Sequence, residues 1–262
     1  MKSSEPSSTT KLTPPSKISE DPILLIDADL YLYRCCAAAE HETDWGDDIW
    51  SLSIDLKEAK SYFRDMIEDF CNILKTDEYI LCLTDGQNFR KDLDPGYKSG
   101  RRKTRKPVGY KAFVDWAKQK YRWYSAPYCE ADDVMGILAT APNSKAIIVS
   151  DDKDMKTIPA KIYRPMSEEL LHITEDQANY AFYTQCLTGD PTDGYYGIKG
   201  VGPVAATKIL GKRPDWSLVE NHYLKKGLTR EDALLQARLA RILRWSDWDE
   251  EKSIIKLWEP KR

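Results

Sequence analysis

Three short apolar runs in this chain each lead into acidic residues. Short apolar runs that alternate with helical stretches are typical of buried parallel strands. Ligands of an open α/β sheet collect at the carboxyl ends of its strands, so these acids are expected to lie close together. Carboxylates gathered there need a cation, and oxygen ligands suit Mg²⁺ or Mn²⁺. The pattern therefore predicts a metal-dependent phosphoryl-transfer site. The runs are Ile23–Ile26 before Asp27, Tyr79–Leu83 before Asp85, and Ala146–Val149 before Asp151 and Asp152.

A fourth acidic cluster opens a predicted helix. Glu130, Asp132 and Asp133 stand directly before the apolar run Val134–Leu138. Helical spacing places Asp133, rather than Asp132, on the same face as Glu130. Any one of these acids alone would be read as a surface charge or a helix cap. Their occurrence together with the strand-end acids favours a shared site.

Composition excludes several other kinds of site. The 262 residues include six cysteines without a CxxC pair, and three histidines that form no recognisable motif. Reduced thiols are therefore expected, and neither a zinc site nor a Ser-His-Asp triad has support. No apolar run is long enough to span a bilayer, and the first residues lack the apolar core of a signal peptide. These features predict a cytoplasmic protein.

A basic segment follows the second strand-end acid. Between Arg90 and Lys106 there are eight lysines and arginines against two aspartates, although the whole chain carries a net charge of −3. Phe89 and Tyr97 lie in the same stretch. A solvated charged loop is one interpretation. Basic side chains interspersed with aromatic rings beside a metal site also suit a phosphate backbone with unstacked bases.

The glycine-rich stretch Gly197–Leu210 predicts a tight turn that leads into a helix. Its sequence is GIKGVGPVAATKIL, in which Gly200 and Gly202 flank one apolar residue and Pro203 suits the first helical turn. Backbone amides at such a helix start can contact a phosphate. The pattern is that of a helix-hairpin-helix, which holds the nucleic-acid backbone without reading bases. An ordinary helical corner is the alternative interpretation.

These signals divide the chain into three parts. Residues 1–21 are polar and rich in Ser, Thr and Pro, and predict a disordered tail. Residues 22–188 carry the alternating strand and helix signals, with the basic loop at about 86–106. Residues 189–262 hold the glycine turn and further helices. Helices are predicted over Leu30–Glu40, Ile54–Leu74, Pro107–Lys120 and Glu231–Trp245.

Taken together, these motifs resemble the 5′-nuclease superfamily, which is flap endonuclease-like and PIN-related. Within it, the chain looks most like the 5′→3′ exonucleases of short-tailed, podovirus-type phages. The resemblance implies an α/β fold with a central, mostly parallel sheet flanked by helices (PIN-like), followed by a helical helix-hairpin-helix module. The motifs that carry it are ILLIDAD, LTDGQNFRKDLDPGYKSGRRK, KPVGY, EADDVMG, VSDDKDMKTIP, GDPTDGYYGIKGVG, QARLARILRW and LWEP.

The resemblance also implies roles for individual residues. Two groups of carboxylates match the family's metal ligands, with Asp133 as an additional member and with Asp29 and Asp151 outside the set. Lys98 and Arg101 match the basic pair that acts on the scissile phosphate, and Tyr33 matches an aromatic ring that stacks on the terminal nucleotide, although core packing is an alternative for it. The metal candidates are Asp27, Asp85, Glu130, Asp132, Asp133, Asp152, Asp154, Asp190 and Asp193. The DNA-binding candidates are Tyr33, Arg90, Tyr97, Arg102, Lys103, Lys199, Gly200, Gly202 and Lys208.

The activity implied is a 5′→3′ exodeoxyribonuclease that uses two or more Mg²⁺ ions, which Mn²⁺ can replace, on duplex DNA ends, nicks or flaps. The resemblance also implies K⁺ at the glycine turn and RNA–DNA hybrids as further substrates. The implied role is in phage DNA replication or recombination, including primer removal. The protein is expected to be a monomer that does not associate with a membrane. A structure-specific flap endonuclease is the nearest alternative. A non-catalytic helix-hairpin-helix protein would not explain the acids. A PIN-type ribonuclease would not explain the glycine turn or the YKSGRR segment.

Overall fold

The computed structural model describes residues 22–100 and 105–260, and its centre is a six-stranded sheet. The tail predicted for residues 1–21, and the predicted site residues Arg101, Arg102 and Lys103, lie outside these ranges. The strands of the sheet are β1 (Leu24–Asp27), β4 (Tyr79–Cys82), β5 (Trp123–Tyr124), β6 (Ile147–Val149), β7 (Lys161–Arg164) and β8 (Glu169–His172).

The strand order is β5-β4-β1-β6-β7-β8, and all neighbouring strands are parallel except β7 and β8. β1 lies between β4 and β6, with Leu25 in register with Ile80 and Ile148. The three acidic strand ends predicted from the sequence are therefore adjacent. The predicted α/β fold with a mostly parallel sheet is confirmed.

Helices flank the sheet and continue beyond it. Two further pairs of strands lie outside the sheet: β2 (Glu40–Asp44) with β3 (Trp50–Ile54), and β9 (Trp248–Asp249) with β10 (Ile254–Ile255). The α-helices are α1 (Ala28–Ala38), α2 (Leu56–Leu74), α3 (Phe89–Leu93), α4 (Tyr110–Lys120), α5 (Ala131–Ala139), α6 (Glu175–Thr188), α7 (Pro203–Leu210), α8 (Trp216–Lys225) and α9 (Arg230–Ala240).

Alternate residues of β1 belong to two different cores. Leu24 and Ile26 pack on one face with α1, α2 and α4, whereas Leu25 packs on the other face with α5 and with Ile242 and Leu243 from the C-terminal part of the chain. A strand that is buried on both faces reads as a continuous apolar run, because successive side chains point to opposite sides. This double burial explains the sequence pattern of the first strand.

Capping residues account for where the predicted helices begin. α1 starts two residues before the predicted Leu30, because the Asp27 side chain accepts a hydrogen bond from the Leu30 amide at 3.2 Å. α2 starts at Leu56, since Asp55 accepts from the amides of Lys57 and Glu58. The strand-end Asp27 thus also serves as a helix cap.

The predicted end of the last long helix was wrong. α9 ends at Ala240, not at Trp245, and Arg241 leaves it in an extended conformation. The extended segment forms tertiary hydrogen bonds in place of helical ones. The Leu243 amide donates to Asp133 at 3.0 Å, and the Arg241 carbonyl accepts from Arg90 at 2.5 Å. Tertiary hydrogen bonds therefore override the helical periodicity here.

A third core joins α6 to the helices that follow it. Phe182, Cys186 and Leu187 of α6 are buried with Ile198, Val201 and the apolar residues of α7, α8 and α9. The division of the chain into domains at 188/189 remains a prediction. All six cysteines are free, as predicted. In the part of the chain that the structure describes, no helix combines the length and apolarity needed to cross a membrane.

Candidate active site

A cavity of about 740 Å³ opens at the carboxyl ends of β1, β4 and β6. A second cavity of about 240 Å³ adjoins it, and the two share Lys98, Asp132 and Asp152. Together they collect eight of the nine predicted metal ligands, and only Asp133 is missing from both linings. The acids of the first cavity are Asp27, Asp29, Asp85, Glu130, Asp132 and Asp152, and those of the second are Asp132, Asp152, Asp154, Asp190 and Asp193.

Asp27 occupies the centre of the strand-end row. Its side chain accepts hydrogen bonds from the Leu30 amide at 3.2 Å and the Ser150 hydroxyl at 2.7 Å, which fix its orientation at the end of β1. Burial, with repulsion from Asp29 and Asp152, raises its pKa to about 6. The carboxylate is therefore held where its own negative charge is unfavourable, which is the condition that a bound cation would relieve.

Asp132 and Asp154 are in the same electrostatic situation. Burial raises the pKa of Asp132 well above its ordinary value, and the nearby charges of Asp27 and Asp152 add to this effect. Burial and repulsion from Asp152 raise the pKa of Asp154 to about 6. The acids of the two cavities therefore interact with one another, as expected for a shared cation site.

Glu130 differs from these acids because basic side chains surround it. Lys98 Nζ lies 2.5 Å from Glu130 Oε1, and Arg90 Nη1 lies 3.2 Å from Oε2. Burial alone would raise the pKa of Glu130, but Arg90 and Lys98 hold it at about 2. Glu130 is therefore ionised, and Lys98 already contacts the oxygen on the cavity side.

Lys98 has an unusual backbone conformation. Its φ angle is +51°, in the left-handed region that residues with a side chain rarely adopt. Its amide donates to the Asp193 carbonyl at 2.7 Å, and its Nζ lies 3.6 Å from Asp193 Oδ2. The loop that carries Asp190 and Asp193 thus holds Lys98 at the junction of the two cavities. Such strained positions persist where the surroundings fix them, and they cluster at functional sites.

Hydrogen bonds also hold three acids of the cavities in place. Asp85 accepts from the Tyr128 amide at 3.0 Å, and Asp154 accepts from Gln185 Nε2 at 2.6 Å. Asp190 accepts from Lys153 Nζ at 2.9 Å; burial would raise its pKa, but Lys153 and Thr192 lower it. The sequence did not single out Lys153, although its position between Asp152 and Asp154 is a signal that was available.

The acids line the two cavities without forming a closed cage. Within residues 22–100 and 105–260, no three His, Cys, Asp or Glu side chains are gathered tightly enough to enclose an ion as they stand. Two of the acids are instead in contact with lysines, Glu130 with Lys98 and Asp190 with Lys153. The donor set consists only of oxygen atoms, which suits a divalent cation.

Three predicted site residues lie elsewhere, and their roles are corrected. Asp133 is completely buried and accepts from Arg90 and from the amides of Glu130 and Leu243, so it lines neither cavity. Arg90 is 2% exposed and Tyr97 is 3% exposed, and both donate to Glu130. Neither can reach a DNA backbone at the surface. Sequence spacing alone could not show that these three polar groups face inward.

The other predicted DNA-binding residues within the described ranges are accessible. Tyr33 is 39% exposed, lines the first cavity and packs edge-on against Tyr110 with ring centroids 6.1 Å apart. This exposure argues against core packing as its role. In the glycine turn, Ile198 and Val201 are buried and anchor the backbone, while the predicted contact residues lie at the surface. These surface residues are Lys199, Gly200, Gly202 and Lys208.

Two features near the site have no counterpart in the sequence analysis. The exposed hairpin of β2 and β3 carries Trp45 and Trp50 at its outer end. At its base, Glu40 accepts two hydrogen bonds from Arg105, at 2.6 and 2.8 Å, and one from the Val108 amide. Glu40 therefore fixes the end of the basic segment close to the first cavity. No short sequence motif indicated this pairing across 65 positions.

Comparison with known proteins assigns the family. The model for the 5′-3′ exonuclease N-terminal resolvase-like domain matches residues 22–182. The exonuclease of Escherichia phage T7 is 32% identical over 91% of this chain and 93% of its own length, and the exodeoxyribonuclease of Enterobacteria phage T3 is 31% identical over the same shares.

The D15 flap endonuclease of bacteriophage T5, in a complex with DNA and metal ions, has a similar fold, with a TM-score of 0.59, 14% identity and coverage of 84% of this chain and 89% of that chain. The resemblance predicted from the motifs is confirmed. The chain belongs to the 5′-3′ exonuclease family.

Proposed function

We propose that this 5′→3′ exonuclease hydrolyses DNA from 5′ ends, nicks or flaps with Mg²⁺ held by the acids of the two adjoining cavities. The observation that carries the proposal is the set of buried and half-buried carboxylates, centred on Asp27, Asp132 and Asp152, that lines the cavities where the carboxyl ends of three parallel strands meet. None of these three acids forms an ion pair with a basic side chain among the described residues. Membership of the family and the DNA-bound T5 relative support the same substrate class.

The acids fit a divalent cation by their chemistry. Three acids, Asp27, Asp132 and Asp154, have raised pKa values because they are buried near other acids. A cation that neutralises their charge therefore binds favourably. When bound, a pair of such ions would lower the pKa of an attacking water and stabilise the leaving oxygen. Replacement of Mg²⁺ by Mn²⁺ and a K⁺ ion at the glycine turn remain predictions.

The chain's own basic and aromatic groups position the substrate in this proposal. Lys98 lies at the junction of the cavities, where its ammonium group can neutralise the scissile phosphate once Glu130 Oε1 has another partner. Tyr33 presents its ring at the wall of the first cavity, which suits stacking on a terminal base. Lys98 therefore stabilises charge, and Tyr33 orients the end of the strand.

The glycine turn supplies a second contact with DNA. Gly202 is the N-cap residue of α7, and a Cβ atom added at Gly200 or Gly202 would meet no heavy atom within 4 Å. The open space above both glycines leaves the backbone accessible to a phosphate. Because no base-reading side chain is involved, the turn is expected to hold duplex DNA without sequence preference.

A cleavage assay tests the catalytic part of the proposal. A duplex labelled at either the 5′ or the 3′ end, and a matched 5′-flap duplex, are incubated with Mg²⁺ or with EDTA. We expect metal-dependent release from the 5′ end, with loss of at least about 10²-fold in rate for Asp152→Asn, the scale of losing one strong electrostatic stabiliser. Duplex binding should persist in this variant.

The matched control for this assay is Asp69→Asn, which changes an exposed acid on α2 outside both cavities. It should cleave like the wild type. Cleavage by the wild type in EDTA, release from the 3′ end, or full activity of Asp152→Asn would each contradict the proposed mechanism. The flap substrate separates exonuclease from flap endonuclease activity, since only the latter releases an intact single-stranded flap.

Gly202→Val tests the DNA-binding role of the turn. The valine side chain enters open space, so the fold is expected to persist, but it should block the approach of a phosphate. Duplex affinity should fall by roughly tenfold for unrelated sequences, as expected for the loss of about one charge-assisted hydrogen bond. The dependence of affinity on salt should flatten, because fewer counterions are released. A folded variant, as judged by circular dichroism, with wild-type affinity and salt slope would make the turn a structural corner only.

A further inference from the structure

Arg90 has no hydrogen-bond donor left for a phosphate. A guanidinium group has five N–H donors, and the structure shows five contacts from this side chain, which is 2% exposed. Two go to Asp133 at 2.7 Å each and one goes to Glu130 at 3.2 Å. The other two go to the backbone carbonyls of Leu239 at 3.0 Å and Arg241 at 2.5 Å. The guanidinium group thus connects Glu130 and Asp133 at the start of α5 with residues 239–241 at the end of α9.

Asp133 completes this bridge from the opposite side. Beyond its two bonds with Arg90, it accepts from the Glu130 amide at 3.0 Å and from the Leu243 amide at 3.0 Å. The first of these bonds forms the capping box of α5, and the second holds residues 239–243 against the helix. Gly136 makes this close approach possible, because a Cβ atom there would lie 2.2 Å from the Leu243 carbonyl oxygen.

The two oxygens of Glu130 have different surroundings as a result. Oε2 accepts from Arg90 at 3.2 Å and from the Tyr97 hydroxyl at 2.8 Å, and both donors are buried. Oε1 has Lys98 Nζ at 2.5 Å, and Lys98 lines both cavities. The inward oxygen is therefore occupied by fixed donors, while the outward oxygen contacts a lysine at the site.

We propose that Arg90 is a positioning residue that holds Glu130 so that only Oε1 faces the cavity, and that fixes this orientation to the C-terminal segment 239–243. The inference rests on the proposed function, in which Glu130 contributes an oxygen to the cation. Asp133 and Tyr97 act with Arg90: Asp133 fixes the guanidinium plane, and Tyr97 supplies the second donor to Oε2. Without this arrangement the carboxylate of Glu130 can rotate, and its cavity-facing oxygen is no longer held in place.

Arg90→Lys tests the proposal because lysine keeps the charge and loses the planar set of five donors. Mn²⁺ binding is measured without DNA by electron paramagnetic resonance, and duplex affinity is measured in EDTA. We expect Mn²⁺ affinity to fall about 10- to 100-fold, the range found when a group that orients a metal ligand is changed. The rate at saturating DNA should fall at limiting Mg²⁺ and partly recover at high Mg²⁺. Duplex affinity and its salt dependence should stay unchanged.

Tyr97→Phe is the second variant, and it keeps the proposal testable if Arg90→Lys does not fold. It removes one hydroxyl from Glu130 Oε2 and keeps the buried ring. Mn²⁺ affinity should fall in the same direction but by a smaller factor. The matched control is Arg238→Lys, an arginine of α9 that pairs with the exposed Glu259. This variant should bind Mn²⁺ like the wild type.

The outcomes separate the possible roles of Arg90. Unchanged Mn²⁺ affinity in folded Arg90→Lys and Tyr97→Phe, even with a lowered melting temperature, would reduce Arg90 to a structural residue and overturn the inference. Weaker duplex binding with a reduced salt slope and normal Mn²⁺ affinity would instead indicate a phosphate contact, and would also overturn it. Failure of the wild type to bind Mn²⁺ would remove the proposed function itself. Normal wild-type binding and cleavage confine any failure to the positioning role.

Discussion

Two sets of acidic side chains in this protein lie close together and have opposite surroundings. Glu130 and Asp133 at the start of α5 are enclosed by Arg90 and its partners, whereas Asp27 and Asp132 face the cavity among other acids. The pKa of Glu130 is held at about 2, although burial alone would raise it, and burial with neighbouring acids raises that of Asp27 to about 6. The first set stabilises the fold as it stands, and the second set is costly until a cation binds.

This contrast shows that neighbouring residues in one sequence motif can have different roles. Asp132 and Asp133 are consecutive, yet Asp132 lines both cavities and Asp133 is completely buried on the other side of the helix start. Helical spacing did place Asp133 beside Glu130, since its carboxylate accepts from the Glu130 amide. That side of the helix faces the interior, where Arg90 is the partner. The partner, rather than the spacing, decides the role.

The largest expected effect comes from removing the lysine that joins the two sets. Lys98→Ala should lower the single-turnover cleavage rate by about 10²-fold or more, because in the proposed mechanism Lys98 stabilises charge on the scissile phosphate. Affinity for DNA should change much less, since the other basic residues proposed to contact the backbone are unchanged. Rapid-quench kinetics and equilibrium binding measure the two quantities separately. A loss in binding with an unchanged rate would make Lys98 one member of a general basic patch. The matched control is Lys118→Ala, which removes a lysine from the wall of the same cavity.

Opposite effects on stability are expected for the two sets in the absence of metal. At pH 7.5 in EDTA, Asp27→Asn should raise the free energy of unfolding by roughly 1–3 kcal/mol, since each pKa unit corresponds to about 1.36 kcal/mol. Glu130→Gln should lower it by about 2 kcal/mol or more, because charged hydrogen bonds to Arg90 and Lys98 are weakened. Urea unfolding measures both values. Changes of the same sign in the two variants would contradict the distinction between the sets.

The pH dependence gives a second test of Asp27. Its pKa is 3.8 in an unfolded chain and about 6 when folded, so between these values the folded state binds more protons than the unfolded state. The stability of the metal-free protein should therefore fall as pH rises from about 4 to 6. Asp27→Asn should reduce this slope, and the part due to Asp132 and Asp154, whose pKa values are also raised, should remain. Glu130 contributes little in this window, because its stabilisation is complete above 4.5 and is lost only as pH falls toward about 2.

The smallest effect is expected for Lys153→Ala. Lys153 contacts Asp190 at 2.9 Å, as Lys98 contacts Glu130, but its side chain is 74% exposed, compared with 15% for Lys98. Exposed ion pairs contribute about 0–1 kcal/mol because water screens them. The free energy of unfolding in EDTA should therefore change by less than about 1 kcal/mol. A larger loss would show that burial does not determine how strongly these lysines stabilise their acids.

The sequence was sufficient for the parts of the structure that depend on local patterns. Apolar runs predicted the strands that lead into Asp27, Asp85 and Asp152, and the rules for parallel sheets placed these acids together. Free cysteines and the exposed glycine turn also follow from local composition. Each of these features is determined by residues within one or two elements.

The parts that the sequence did not indicate depend on contacts between distant segments. The inward orientation of Arg90 and the end of α9 at Ala240 both result from hydrogen bonds that span more than 100 positions, such as that between Asp133 and Leu243. The exposed hairpin of β2 and β3 was not predicted either, because its acidic and polar residues lack a clear alternation. Periodicity carries no information about such pairings.

The bonds between Arg90, Asp133 and residues 239–243 also have a consequence for synthesis of the protein. Domains generally fold from the N-terminal side as the chain is made, and the five parallel strands of the sheet are complete once β7 has emerged at Arg164. Two of the five contacts of Arg90, however, are with carbonyls of residues 239 and 241. A growing chain therefore acquires its sheet well before the network around Glu130 is complete. Nuclease activity is therefore expected to appear only after residues 239–243 have left the ribosome, well after the sheet has formed.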